Sequence, residues 1–307
     1  MVSEMESSLN FVRSLCLGIF LTGITTLGIT NTTYAGQWIS DEPNEWYYVK
    51  NNGQYATNET LLDDKGNIYC FDENSVMRYS TDYNGLSWDA SGAWINRMAP
   101  NEEYFEAKYQ EYRNNGVVTL SSREEYVDFL NYVSSNYIME EATVYHSVSS
   151  SGEYIFRKEA NPEFENALNL YYQNLELLNS IVAKNRGATD AETARNLVTY
   201  IIDNTTYDVN YAYVSSILTE GRGRCSSYTR LFKMLCELAG INCEEVYNIA
   251  PNGQYHSLTR AWYDGRWHYI DLTYLDSCRN FDKYFDISYD SFLSLFKLEN
   301  HGLYSYY

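Results

Sequence analysis

At 307 residues, 45% of them hydrophobic, the chain is long enough to bury a core and to divide into two units, and it is not disordered by composition. Its 41 acidic and 22 basic side chains leave a formal charge of −19, so a broad phosphate-binding face would have to form against the field of the whole molecule; nucleic acid is excluded as a partner. The 32 tyrosines offer apolar ring faces with polar tips, suited to stacking on sugars or to half-wet sheets outside the cytosol.

The amino-terminal 35 residues predict an export signal. Arg13 precedes an uncharged apolar run from Leu15 to Ile29, and Thr33-Tyr34-Ala35 is a small-x-small cleavage site. The run is short of the ~20 residues that span a bilayer comfortably, so no membrane span is expected after signal removal. Cys70, Cys225, Cys236, Cys243 and Cys278 then remain. An odd number in an exported protein suggests one free, reactive thiol; a Cys243–Cys278 pair is conceivable, and buried free thiols are the simpler expectation. No CxxC pair occurs and the histidines are dispersed, so no metal or other cofactor is expected.

Residues 36–96 read as aromatic strands separated by turns: Trp46-Tyr47-Tyr48 before Asn52-Gly53, Tyr69-Cys70-Phe71-Asp72 before Met77, then Asp89, Gly92 and Trp94. This stretch resembles the cell-wall-binding repeats of Gram-positive surface proteins, relatives of choline- and glucan-binding modules. That resemblance implies stacked hairpins that bind cell-wall polymer and a secreted or wall-associated location. Residues 97–160 form an α/β connecting subdomain, with helices expected over Glu102–Tyr112 and Ser122–Tyr137 and a hairpin turning at Ser150-Ser151-Gly152. Residues 161–307 form the last unit. An apolar stripe from Phe164 to Ile181 predicts a helix, and Thr189-Asp190-Ala191-Glu192 is a capping box opening another that runs to about Asn204. Strands dominate after residue 241, so the fold class is α+β with helices first.

The chemistry concentrates in this unit. Gly221-Arg222-Gly223-Arg224 resists helix formation, whereas Cys225 starts the stripe Tyr228, Leu231, Phe232, Leu235, Ala239 that Gly240 ends. Cys225 therefore sits at a helix amino terminus, where free N–H groups, the helix dipole and two arginines favour a thiolate. Further on, Tyr255–Tyr263 and Arg266–Thr273 are β-rich runs joined by Asp264-Gly265. A two-residue turn places Leu258 opposite Asp271 and His256 opposite Thr273, which makes His256 and Asp271 diagonal neighbours at about 7 to 8 Å on one face. His268 falls on the other face. An aspartate that accepts from one imidazole nitrogen leaves the second to face the thiol.

Gly-Arg-Gly-Arg-Cys-Ser-Ser-Tyr-Thr-Arg-Leu-Phe at 221–232, His256, and Asp-Gly-Arg-Trp-His-Tyr-Ile-Asp-Leu-Thr at 264–273 together resemble the transglutaminase-like superfamily. The resemblance implies a papain-like α+β core with Cys225 as nucleophile, His256 as base and Asp271 as orienting acid. Ser257-Leu258 departs from the Ala-Trp common after the histidine, which bears on substrate preference. The expected reaction is attack of Cys225 on a peptide or protein amide to give a thioester, finished by water (peptidase or amidase) or by an amine (protein-glutamine acyl transferase). The backbone N–H of Cys225 supplies one oxyanion donor, and the second is not resolved. The rival reading is a catalytically silent surface protein that keeps the fold and binds wall polymer.

Overall fold

The structure, a computed structural model, describes residues 36–42, 45–63, 65–83, 86–96, 101–249, 255–287 and 297–298. The export signal at 1–35 lies outside the described residues.

The first segment is a series of small antiparallel pieces. β1 (Gln37–Glu42) pairs with β2 (Glu45–Val49), β3 (Thr60–Leu62) with β4 (Ile68–Cys70), and β5 (Thr81–Tyr83), β6 (Leu86–Trp88) and β7 (Trp94–Ile95) form a three-stranded sheet. Three of the turns share one construction. Asp63, Asp72 and Asp89 each use one carboxylate oxygen to accept the N–H groups two and four residues further on. Such Asp-anchored turns satisfy backbone donors locally, so very short strands can reverse direction without a large core. Tyr48, Ala56, Phe71 and Met77 make a small core here, with Trp38 packed edge-on to Tyr48 and Tyr69.

Next come α1 (Glu102–Asn115), β8 (Val117–Leu120), α2 (Arg123–Tyr137), β9 (His146–Val148) and β10 (Tyr154–Arg157), with β10 central in a three-stranded sheet. Ser122 caps α2 by accepting from Glu125 N at 3.1 Å. The long α3 (Pro162–Asn185) serves two cores: Phe164 and Leu168 pack with Phe105, Tyr112, Phe129 and Phe156, whereas Leu178 and Ile181 face the helices that follow.

The last unit has α4 (Asp190–Asn204), β11 (Thr206–Tyr207), α5 (Val214–Glu220), β12 (Arg222–Gly223) and α6 (Cys225–Ala239), then β13 (Cys243–Ile249), β14 (Tyr255–Tyr263) and β15 (Arg266–Ile270). Two short helices, α7 (Leu272–Cys278) and α8 (Phe281–Tyr284), and β16 (Lys297–Leu298) complete it; the sheet order is β15-β14-β13-β16. The class is α+β. Buried Tyr228, Leu231, Phe232 and Leu235 fix α6 against its neighbours, each contributing about 1.5–3 kcal/mol of apolar transfer. That anchoring matters because the first residue of this helix is Cys225.

One expectation needs correction. The strand expected over Arg266–Thr273 stops at Ile270, because the Asp271 side chain accepts from Tyr274 N at 3.1 Å and starts α7. Of the two readings left open for the cysteines, the structure has free thiols: all five described cysteines are free, the Cys243 thiol is hydrogen-bonded with Cys236, and Cys278 Sγ meets Tyr274 O at 3.1 Å.

The amino-terminal hairpins lie directly on the last unit. Ile68, Cys70 and Trp88 are part of its core. Trp267 N donates to Lys65 O at 2.8 Å, and Gly66, at φ +79°, leaves no room for a Cβ, which would fall 2.7 Å from Trp267 Cβ.

Candidate active site

Cys225 is delivered by two rungs of parallel sheet. β11 and β12 pair Thr206 with Arg222 and Tyr207 with Gly223. Thr206 N donates to Gly221 O at 2.7 Å and Asp208 N to Gly223 O at 2.8 Å, while Arg224 N donates to Tyr211 O at 2.9 Å. The loop before the helix is thereby strapped to the segment Thr206–Tyr211. Gly223 is buried, and a Cβ there would sit 2.7 Å from both Ile217 Cγ1 and Ser227 Oγ.

The hairpin supplies the other two groups. Asp264 and Gly265 both have positive φ, 51° and 78°, as a type I′ turn requires, and the register runs Tyr263↔Arg266, Trp262↔Trp267, Thr259↔Ile270. His256 Nε2 lies 2.7 Å from Asp271 Oδ2, with the His256 side chain 12% exposed and Asp271 wholly buried. Thr273 Oγ1 donates to the second carboxylate oxygen at 2.9 Å, and Asp271 N donates to Tyr284 O at 2.9 Å, so the acid is fixed at both ends. Tyr274 meets the imidazole edge-on, with ring centroids 5.5 Å apart. Nε2 is thus committed to Asp271, leaving Nδ1 for the hydrogen bond between the imidazole and Cys225.

The three side chains named from sequence converge, and their ionisation is mutual. Burial pushes the Cys225 thiol up, but the hydrogen bond and positive charge of His256, with the N–H of Ser257, outweigh it and leave the thiol below its ordinary value. Burial alone would lower His256, yet the charge and hydrogen bond of Asp271, and then Cys225, raise it to about 10. Both shifts favour thiolate and imidazolium over the neutral pair. The other two perturbed thiols go the opposite way, as burial pushes Cys70 and Cys243 up. His268 lies elsewhere, stacked on Tyr263 and 3.1 Å from Asp286.

Residues 176–272 match the family model described as the transglutaminase-like superfamily. That segment holds Cys225, His256 and Asp271 together with the helix and hairpin that carry them. Residues 176–272 carry a transglutaminase-like domain. No curated protein matches the chain. Among solved structures, the chain resembles one described as a TGase, at 15% identity and TM-score 0.28, over 54% of this chain and 47% of that one. The chain thus spans about half the length of that relative. A candidate cysteine protease from Cytophaga hutchinsonii is 12% identical, with TM-score 0.31 and coverage of 53% and 69%. A candidate protease from Parabacteroides distasonis is 10% identical, with TM-score 0.28 and coverage of 43% and 36%.

The site also contains groups that sequence reasoning did not assign to the triad. Tyr207 is near enough to Cys225 and Asp271 for their charges, after burial, to push its phenol up. The N–H of Ser257 reaches the sulfur, and Thr273 and Tyr274 support the acid and the imidazole. The available signal was Asp271-Leu272-Thr273-Tyr274, an aspartate followed three residues later by the amide that it caps.

Proposed function

We propose that this chain is a thiol enzyme that acts on amide bonds through a thioester on Cys225. The observation that carries this reading is the hydrogen-bonded series from Asp271 through the His256 imidazole to a thiol at the start of a buried helix. In the proposed reaction the Cys225 thiolate attacks the carbonyl carbon and forms the C–S bond. The imidazolium of His256 gives its Nδ1 proton to the leaving amine as the C–N bond breaks. Water or a second amine then attacks the thioester, returning its proton to His256 and freeing the sulfur. The N–H of Cys225, at the first turn of α6, is the proposed oxyanion donor.

The proposed setting is the cell envelope of a Gram-positive type cell, with residues 36–96 meeting wall polymer. Its support is a cleft of about 400 Å³ lined by Trp38, Trp46, Tyr69, Met77 and Tyr79, whose ring faces suit the apolar faces of sugars. The same cleft is the one feature that favours the rival, a silent protein that binds polymer without turnover.

Iodoacetamide labelling at neutral pH separates them. Cys225 is expected to react well before the other thiols, and His256→Ala is expected to abolish that preference; equal labelling of all five would overturn the enzyme reading. Incubation with a labelled primary amine and a protein substrate then assigns the acceptor by product mass: incorporated amine means transfer, shortened chains mean hydrolysis.

A further inference from the structure

A chain of buried polar groups runs behind the sulfur. Cys225 Sγ accepts from the His256 ring and from the backbone N–H of Ser257. The Ser257 side chain, 1% exposed, lies with its hydroxyl 2.8 Å from Thr229 Oγ1. Thr229 is one turn along α6 from Cys225, on the same face, and its hydroxyl is 3.0 Å from Glu245 Oε1. Glu245, on β13, is wholly buried; its other oxygen accepts from Ser135 Oγ at 3.2 Å, and Arg230 Nε lies 3.5 Å from Oε1.

The direction of these bonds follows from donor supply. A carboxylate only accepts, and a threonine hydroxyl carries one hydrogen. Ser226 O is as near to Thr229 Oγ1, at 3.0 Å, but it is an uncharged and weaker acceptor than Glu245. Thr229 therefore donates to Glu245, and Ser257 donates to Thr229. The series has one sense and ends on a charge. Burying a carboxylate is costly unless it is fully partnered, and valine and alanine would fill the volumes of Thr229 and Ser257 without it. Packing does not account for the arrangement. It does, however, hold residue 257 against α6 at the point where its N–H must face Cys225.

We propose that Glu245 and Thr229 are positioning residues that act through Ser257, keeping its N–H on the Cys225 sulfur and so sustaining the thiolate. The inference rests on Cys225 being the nucleophile.

The test is the pH dependence of iodoacetamide alkylation at Cys225, read by peptide mass, for wild type, Thr229→Val and Thr229→Ser. The charged and titratable groups that face the sulfur, His256, Asp271 and Tyr207, are the same in all three. Loss of one donor to a thiolate is expected to raise the midpoint by roughly one pH unit in Thr229→Val, about a tenfold slower reaction below it. Thr229→Ser keeps the hydroxyl and is expected to follow the wild type. A merely structural role would lower the melting temperature and leave the midpoint of the folded protein in place, and that result overturns the proposal. Should Thr229→Val not fold, Ser257→Ala carries the same expectation, because it removes one oxygen and leaves the carboxylate partnered. Failure of His256→Ala to change Cys225 labelling would instead sink the nucleophile reading, whatever Thr229 does.

Discussion

As thiolate and imidazolium, Cys225 and His256 hold one proton between them, and the pH dependence of stability follows from that count. In the unfolded chain histidine titrates near ~6.5 and cysteine near ~8.5, so the two also bind about one proton between those values. Their contribution is level across that window wherever the folded pair also holds one proton. Above it the unfolded cysteine loses its proton while folded His256 keeps its own to about 10, so stability falls from about pH 8.5 upward. Below it the unfolded pair binds two protons, and stability falls as pH drops through the lowered value of folded Cys225. Cys225→Ala leaves a raised His256 alone, whose contribution is complete below ~6.5 and is lost above it. Melting temperatures at pH 6, 7, 8 and 9 are therefore expected to show the variant declining at lower pH than the wild type. Parallel curves would mean that the thiol and imidazole do not share a proton.

At the scale of elements, the parts of the site that were legible in the sequence are those that local rules determine. Gly240 marks the end of α6, the Tyr228 to Leu235 stripe gives its buried face, and together they place Cys225 at the start. Asp264-Gly265 permits a two-residue turn, and side-chain alternation does the rest: Trp262 opposite Trp267 fixes His256 and Asp271 as neighbours. What escaped was one local cap that went unread and pairings between residues distant in sequence. Asp271 could have stayed in a strand but turns into α7, because its side chain caps Tyr274 N and its N–H is taken by Tyr284 O. Nothing near Thr206 announces that it pairs in parallel with Arg222. Gly223 exposes the demand of that pairing: a methyl group would meet Ile217 and Ser227 and shift the loop that ends in Cys225. Gly223→Ala is expected to cost about 1–3 kcal/mol in denaturant unfolding, and to slow Cys225 alkylation in the protein that remains folded. Wild-type reactivity in that variant would show that the loop yields without moving the sulfur.

Over the whole molecule, the aromatic amino-terminal segment was legible as strands and turns but not as a partner of the sheet that carries His256. Its composition suggests a module facing a ligand, whereas Ile68, Cys70 and Trp88 are spent on the core that surrounds α6. Arg260 shows the same integration, since its guanidinium lies 5.1 Å from the ring of Trp94 and 4.4 Å from that of Trp267 while pairing with Glu244. A chain beginning at residue 97 is therefore expected to lose solubility and its cooperative melt, compared by size exclusion and calorimetry with one beginning at residue 36. A truncated chain that stays monomeric with an unchanged melt would make the hairpins a free module after all. Their docking also occupies the outer edge of the strand that leads to Asp271. Along the outer edge of β15, Trp267 N, Tyr269 O and Asp271 N are taken by Lys65 O, Ile287 N and Tyr284 O. Among the described residues these three groups are already paired, so a guest chain could add as a strand there only by displacing Lys65, Ile287 and Tyr284.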